Sequence, residues 1–154
     1  GELVVAYACS EFGRRHSISL LLGGVFPAHT HRVRAACFGL QPPHAGAPLP
    51  ECALGYADVS LLSDEDAAAR INAVGAHILI DLNGWTAGGR GGVLAARPCA
   101  LQVLYMGFPG STGAPFIDAF VGDRHVSPPE FSPHFSETLV LLPRTYFVAS
   151  YAHA

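Results

Sequence analysis

The sequence predicts an α/β fold, a Rossmann-like parallel sheet with helices on both faces, and three observations predict it. Short apolar segments recur along the chain at 3–8, 33–40, 77–82, 101–106, 117–121 and 138–142. They are nearly continuously apolar instead of alternating, which is the pattern of strands buried on both faces. Segments with helical spacing and helix-end signals stand between several of them, and strands alternating with helices imply parallel pairing. At 154 residues, 50% of them hydrophobic and only 14% charged, the chain can bury the core of one domain.

Residues 3–8 (Leu-Val-Val-Ala-Tyr-Ala) form the first strand in this reading, and a turn at 11–13 leads to a helix over 17–26. Residues 33–40 form the second strand. The stretch 41–50 carries four prolines and reads as an irregular loop. Ser63 then supplies an N-cap, and Asp64, Glu65 and Asp66 place negative charge in a first helical turn, where the helix dipole favours it. Ala67, Ile71 and Val74 continue as an apolar stripe, Gly75 stops the helix, and 77–82 follows as a strand. A glycine-rich stretch, 84–92, precedes a short helix at 93–96 that Pro98 ends. Strands at 101–106, 117–121 and 138–142 complete the series.

Composition excludes several functions. No apolar run approaches the roughly 18–20 residues that cross a bilayer; the longest, 18–26, is broken by Gly23 and Gly24. The opening residues lack the basic region of a signal peptide, so neither membrane nor export is expected. A net charge of −3 gives no footprint for nucleic acid. All nine basic residues are arginine, which excludes a Schiff-base lysine and a lysine-dependent phosphate loop within these residues. Cys9, Cys37, Cys52 and Cys99 show neither CxxC nor zinc spacing. The apolar settings of Cys9, Cys37 and Cys99 suggest buried thiols in a reducing compartment. His29 and His31 read as surface-loop residues before metal ligands, and no metal is expected.

Ligands of open parallel sheets bind beyond the carboxyl ends of the strands. Three unusual loops fall there: 10–17 after the first strand, 83–90 after the strand at 77–82, and 107–113 after the strand at 101–106. Each has a plainer reading. His16 would cap the helix that follows it, Asp81 would anchor a turn, and the glycines of 107–113 would serve close packing. A GxxGxxG without a lysine is weak as a phosphate cradle, and Ser111 lies in no GxSxG elbow.

At these same loops the sequence resembles the protein O-GlcNAc transferase family. The run Ile-Leu-Ile-Asp-Leu-Asn-Gly-Trp-Thr at 78–86 is similar to that family's ILxDLxGxT. Ala-Arg-Pro-Cys-Ala-Leu-Gln at 96–102 resembles RRPAPxQ, and Gly-Phe-Pro-Gly-Ser-Thr-Gly at 107–113 resembles GYPGTSG. Asp118 and Asp123 stand where the family has xDYxxxD, and Phe135-Ser136-Glu137 continues the match. Residues 11–17 are similar to DFRRHS, with Glu11 for Asp and one residue more. The resemblance runs from about Leu3 to about Val148 and is weakest over 41–55.

It implies that residues 1–154 are the first, acceptor-side domain of a two-domain GT-B catalytic region. The second nucleotide-sugar domain and the TPR repeats would lie outside them. The implied reaction moves N-acetylglucosamine from UDP-N-acetylglucosamine to Ser or Thr hydroxyls of proteins, with inversion, without a metal or other cofactor. Donor contacts would come mainly from the second domain, leaving these residues inactive alone. His16 would be the catalytic histidine at the cleft, Asn83 and Thr86 would line the acceptor side, and Gly107, Pro109 and Thr112 would shape the substrate-binding floor. Asp81 and Asp123 would orient the loops, and Trp85 stands where relatives carry His or Tyr. Expected partners are Ser/Thr-bearing proteins in the cytoplasm or nucleus. Two alternatives remain: a protein O-fucosyltransferase using GDP-fucose, or a non-catalytic binding module, which a stop at Ala154 would favour.

Overall fold

A computed structural model describes residues 1–148; residues 149–154, the position of Ala154 included, lie outside the described part. Seven strands form one sheet: β1 (Leu3–Cys9), β2 (Val33–Gly39), β3 (Tyr56–Asp58), β4 (Ile78–Asp81), β5 (Leu101–Tyr105), β6 (Ala119–Asp123) and β7 (Thr138–Leu142). Their order is β3-β2-β1-β4-β5-β6-β7, and every neighbouring pair is parallel. The order reverses between β1 and β4, the topological switch point at which such sheets open a crevice.

Helices α1 (Ser17–Leu22), α2 (Asp64–Asn72) and α3 (Gly91–Ala95) cover both faces. Ala6, Ala8, Phe38, Leu79 and Leu104 face one side, where they pack with Ala67, Ala68 and Ile71 of α2 and with Val93 and Leu94 of α3. Val5, Tyr7, Cys9, Ala35 and Cys37 face the other, with Leu22 of α1, Phe12 and Phe26. Burial of one such large aliphatic side chain contributes about 1.5–3 kcal/mol, so the two-sided packing explains why the strands read as unbroken apolar runs. Ser63 caps α2 as expected, its hydroxyl accepting the Asp66 N–H at 3.1 Å.

Five elements differ from the sequence reading, among them α3, which begins at Gly91 and not at 93. Helix α1 ends at Leu22, not at 26: Gly23 and Gly24 are poor helix formers, and the Val25 N–H closes a tighter turn onto the Leu22 carbonyl at 2.8 Å. Strand β3 emerges at the sheet edge from only three residues. Strand β6 begins at Ala119, two residues later than expected, because the Ile117 N–H is held in a turn by the Ala114 carbonyl. A 3-10 helix spans Pro129–His134 before β7.

Candidate functional site

The switch point holds a cavity of about 310 Å³. Glu11, His16 and Ile18 reach it from the end of β1, Leu82, Asn83, Thr86 and Ala87 from the end of β4, and Gly107 from the end of β5. Four of the residues singled out in the sequence, His16, Asn83, Thr86 and Gly107, therefore meet in one place. Pro109 and Thr112 lie outside this lining, and Asp123 stands two strands away at the end of β6.

The turn after β4 is built by a carboxylate. Asp81 is buried, and its Oδ1 and Oδ2 accept the N–H groups of Asn83 (3.0 Å) and Gly84 (2.8 Å). Burial pushes the Asp81 carboxyl above its ordinary value, against those two hydrogen bonds, which pull it down. Gly84 has φ +54°, and a Cβ there would meet the Phe108 Cβ at 2.6 Å, so glycine is required. Asn83, 2% exposed, joins the β1 and β4 loops: its Oδ1 accepts the Ser10 N–H at 2.7 Å, and its Nδ2 donates to Ser10 Oγ (2.7 Å) and Thr86 Oγ1 (3.0 Å). Its amide is thus fully engaged within the chain, and it shapes the wall by holding Ser10 and Thr86.

His16 is the N-cap of α1, with Nδ1 accepting the Ile18 N–H at 3.3 Å. The capping and cavity-facing readings hold together in one side chain. With Nδ1 accepting, the neutral ring carries its proton on Nε2, which makes the free nitrogen a donor. Gly107 brings the β5 loop against the end of β4; a Cβ at this position would lie 1.8 Å from the Leu82 carbonyl oxygen. Asp123 accepts N–H groups from Tyr146 (2.8 Å), Val126 (3.0 Å) and His125 (2.8 Å), and these hold its carboxyl below the usual range.

Two further groups, Glu11 and Glu137, belong to the family-like runs but carry no role that the sequence assigns. Glu11 places a carboxylate on the cavity wall, where Oε1 accepts the Ser10 hydroxyl at 2.9 Å and Oε2 pairs with Arg14 at 3.5 Å. An acidic residue just beyond the first strand was the available signal. Glu137, buried just before β7, accepts the Ser111 hydroxyl and the Thr112 N–H, both at 2.7 Å, as well as the Thr112 hydroxyl. Burial raises its carboxyl, but the Thr112 and Ser111 hydrogen bonds outweigh it and leave the group below its ordinary value. Thr112 meets the β4 turn through its carbonyl, which accepts the Trp85 indole N–H at 2.8 Å.

Cys9, Cys37 and Cys99 are buried and Cys52 is half-buried, all as free thiols. Among the described residues no cluster of three or more His, Cys, Asp or Glu side chains could hold a metal, and no helix is long and apolar enough to cross a membrane.

Residues 1–154 match the description "Glycosyl transferase family 41". A probable UDP-N-acetylglucosamine–peptide N-acetylglucosaminyltransferase SEC from Arabidopsis thaliana is 40% identical over 97% of this chain and 16% of its own length. The UDP-N-acetylglucosamine–peptide N-acetylglucosaminyltransferase of Caenorhabditis elegans is 32% identical over 98% of this chain and 14% of its own. Among solved structures, a mutant of the Thermobaculum terrenum O-GlcNAc transferase superposes with a TM-score of 0.84 at 28% identity, over 95% of this chain and 28% of that one. The chain thus spans less than a third of each of these relatives. The whole-length family match, the parallel sheet and the loops converging at its switch point lead to one conclusion: the chain belongs to glycosyl transferase family 41.

Proposed function

We propose that the chain is the acceptor-side domain, the first of two, of a protein O-GlcNAc transferase. In this reading N-acetylglucosamine passes from UDP-N-acetylglucosamine to a Ser or Thr hydroxyl of a cytoplasmic or nuclear protein. The observation that carries it is the cavity at the switch point, built from the same loops that carry the family motifs. The acceptor hydroxyl attacks the anomeric carbon, the bond to the UDP diphosphate breaks with inversion, and the hydroxyl proton must leave as the new bond forms.

Glu11 and His16 are the titratable groups on the cavity wall. His16, with its proton on Nε2, orients an oxygen of the acceptor or sugar by donating to it. Glu11, as a carboxylate, is the group able to accept a proton. The diphosphate leaving group requires positive charge or hydrogen-bond donors, and the further length of the relatives is where those groups would lie. Transfer from UDP-N-acetylglucosamine and from GDP-fucose to a Ser/Thr peptide by the protein that carries this chain, followed by mass spectrometry, tests the proposal. N-acetylglucosamine on the peptide is expected; transfer of fucose, or of neither sugar, would overturn it. Calorimetry with the 154 residues alone is expected to show no strong binding of UDP-N-acetylglucosamine.

A further inference from the structure

Glu137 stands just before β7, outside the cavity lining, yet most of its hydrogen bonds go to the loop that leaves β5. Both carboxylate oxygens are filled. Oε1 accepts from the N–H and hydroxyl of Thr112, and Oε2 accepts from the hydroxyls of Ser111 (2.7 Å) and Ser136 (3.1 Å). None of the four ion pairs among the described residues involves it, so its charge is held by neutral donors. Those donors are themselves fixed. Ser111 Oγ accepts the N–H groups of Gly113 and Ser136, both at 3.2 Å, and Thr112 Oγ1 accepts that of Ala114 at 3.2 Å. Each hydroxyl accepts from backbone, Ser111 on both lone pairs and Thr112 on one, and each donates its proton to the carboxylate.

The loop is therefore wound around one carboxylate, and it passes the constraint on. The Thr112 carbonyl accepts the Trp85 indole N–H at 2.8 Å, and Trp85 adjoins Thr86 on the cavity wall. The Trp85 ring is 54% exposed, and among the described residues this is the hydrogen bond that tethers its indole. A carboxylate that served only to start β7 would take its donors from β7 and its flank. Here three of the four come from Ser111 and Thr112.

We propose that Glu137 is a positioning residue: by gripping Ser111 and Thr112 it fixes the loop after β5 and, through the Thr112 carbonyl, sets Trp85 and the Thr86 side of the acceptor cavity. The proposal rests on the acceptor-side reading of that cavity. It also assigns Thr112 a role through its carbonyl, since its hydroxyl is committed to Glu137.

The test compares wild type, Glu137→Gln, Glu137→Ala and Thr112→Val in the protein that carries this chain. Glutamine is the informative variant. Its NH2 group faces either the Thr112 N–H, which can only donate, or the Ser111 and Ser136 hydroxyls, of which only Ser136 Oγ is open to accept. Either the Thr112 or the Ser111 arm is lost, so the grip loosens with little change in shape. Loss of a hydrogen bond to a charged group corresponds to about a tenfold or greater change in an opening equilibrium. Amide exchange at Thr112 and Gly113 in Glu137→Gln is therefore expected to rise by about that factor. Emission of Trp85, the single tryptophan of the 154 residues, is expected to shift in the difference spectrum between variant and wild-type protein. KM for the acceptor peptide is expected to rise by a larger factor than kcat falls, and Thr112→Val to reproduce part of both effects. Unchanged exchange and emission in Glu137→Gln would overturn the proposal, as would a loosened loop with KM and kcat both at wild-type values. If Glu137→Ala does not fold, Glu137→Gln and Thr112→Val decide alone. A wild-type protein without transfer activity would remove the acceptor-side reading, while exchange and emission would still decide the positioning.

Discussion

Replacing Asn83 with alanine removes the clamp between the two halves of the sheet at its switch point. The side chain contributes three hydrogen bonds of 2.7–3.0 Å, two of them to Ser10, which is itself fully buried. Alanine leaves the buried Ser10 N–H without its partner, at a cost of about 1–3 kcal/mol. The Ser10 hydroxyl keeps Glu11 Oε1 as an acceptor, and Thr86 Oγ1 keeps the Asn83 carbonyl, so their losses are smaller. The sum is about 2–4 kcal/mol, which for a chain of this size lowers the melting temperature by roughly 5–15 °C. Asn83→Asp is expected to do no better. It sets a second carboxylate beside buried Asp81 and turns an oxygen toward Ser10 and Thr86 hydroxyls that already donate elsewhere. Thermal denaturation with amide exchange at Ser10 is the assay. A variant melting within about 1 °C of wild type would refute the clamp, since the loss at the Ser10 N–H alone, about 1 kcal/mol at the least, lowers the melting temperature by more than that.

Gly107→Ala, which sets a Cβ 1.8 Å from the Leu82 carbonyl oxygen, must part the β4 and β5 loops; a loss of about 3 kcal/mol in denaturant unfolding is expected. Acid is expected to destabilise the fold. Asp118, Asp123 and Glu137 lie below their ordinary values of 3.8, 3.8 and 4.5, so the unfolded chain binds their protons first. Their stabilisation is complete above those ordinary values and is lost as pH falls through the depressed ones. Asp81, which is raised, works in the opposite sense but alone. Melting temperatures measured from about pH 6 down to about pH 3 check this, with a decline expected below about pH 5. Alkylation at mildly alkaline pH followed by mass spectrometry is expected to find Cys52 first. Its thiol is half-buried and held low chiefly by its hydrogen bond to Cys37, whereas burial raises Cys9 to about 12 and Cys99 to about 11.

The most legible parts of the fold were those in which local and long-range demands agree. Helix α2 announces itself through Ser63, three acidic residues and an apolar stripe, and β4 through a run buried on both faces. Strand β3 was not legible because Tyr56-Ala57-Asp58 carries no pattern of its own; it is a strand because the exposed edge of β2 recruits it. The segment Pro129–His134 holds two prolines and reads as loop, although a 3-10 turn accommodates them. The site followed from topology, because parallel strands bring all their carboxyl ends to one edge, and so His16, Asn83, Thr86 and Gly107 converge without any contact being readable in the sequence. Glu137 lies in a family-like run, Phe135-Ser136-Glu137, but nothing in the sequence ties it to the loop after β5. It lies 25 residues from Thr112, and only the return of the β5 loop toward β7 brings the carboxylate to its donors.

His16 separates the two roles that one side chain combines here, helix cap and cavity donor. Asparagine at this position keeps an N-cap oxygen for the Ile18 N–H but removes the imidazole. Turnover of UDP-N-acetylglucosamine onto a peptide by His16→Asn in the protein that carries this chain, with the melting temperature taken on the same preparation, tests the cavity as the acceptor side of a transfer site. The expected result is a melting temperature near wild type with turnover lowered by about a hundredfold. Wild-type turnover at unchanged stability would make His16 a cap alone and place the chemistry elsewhere.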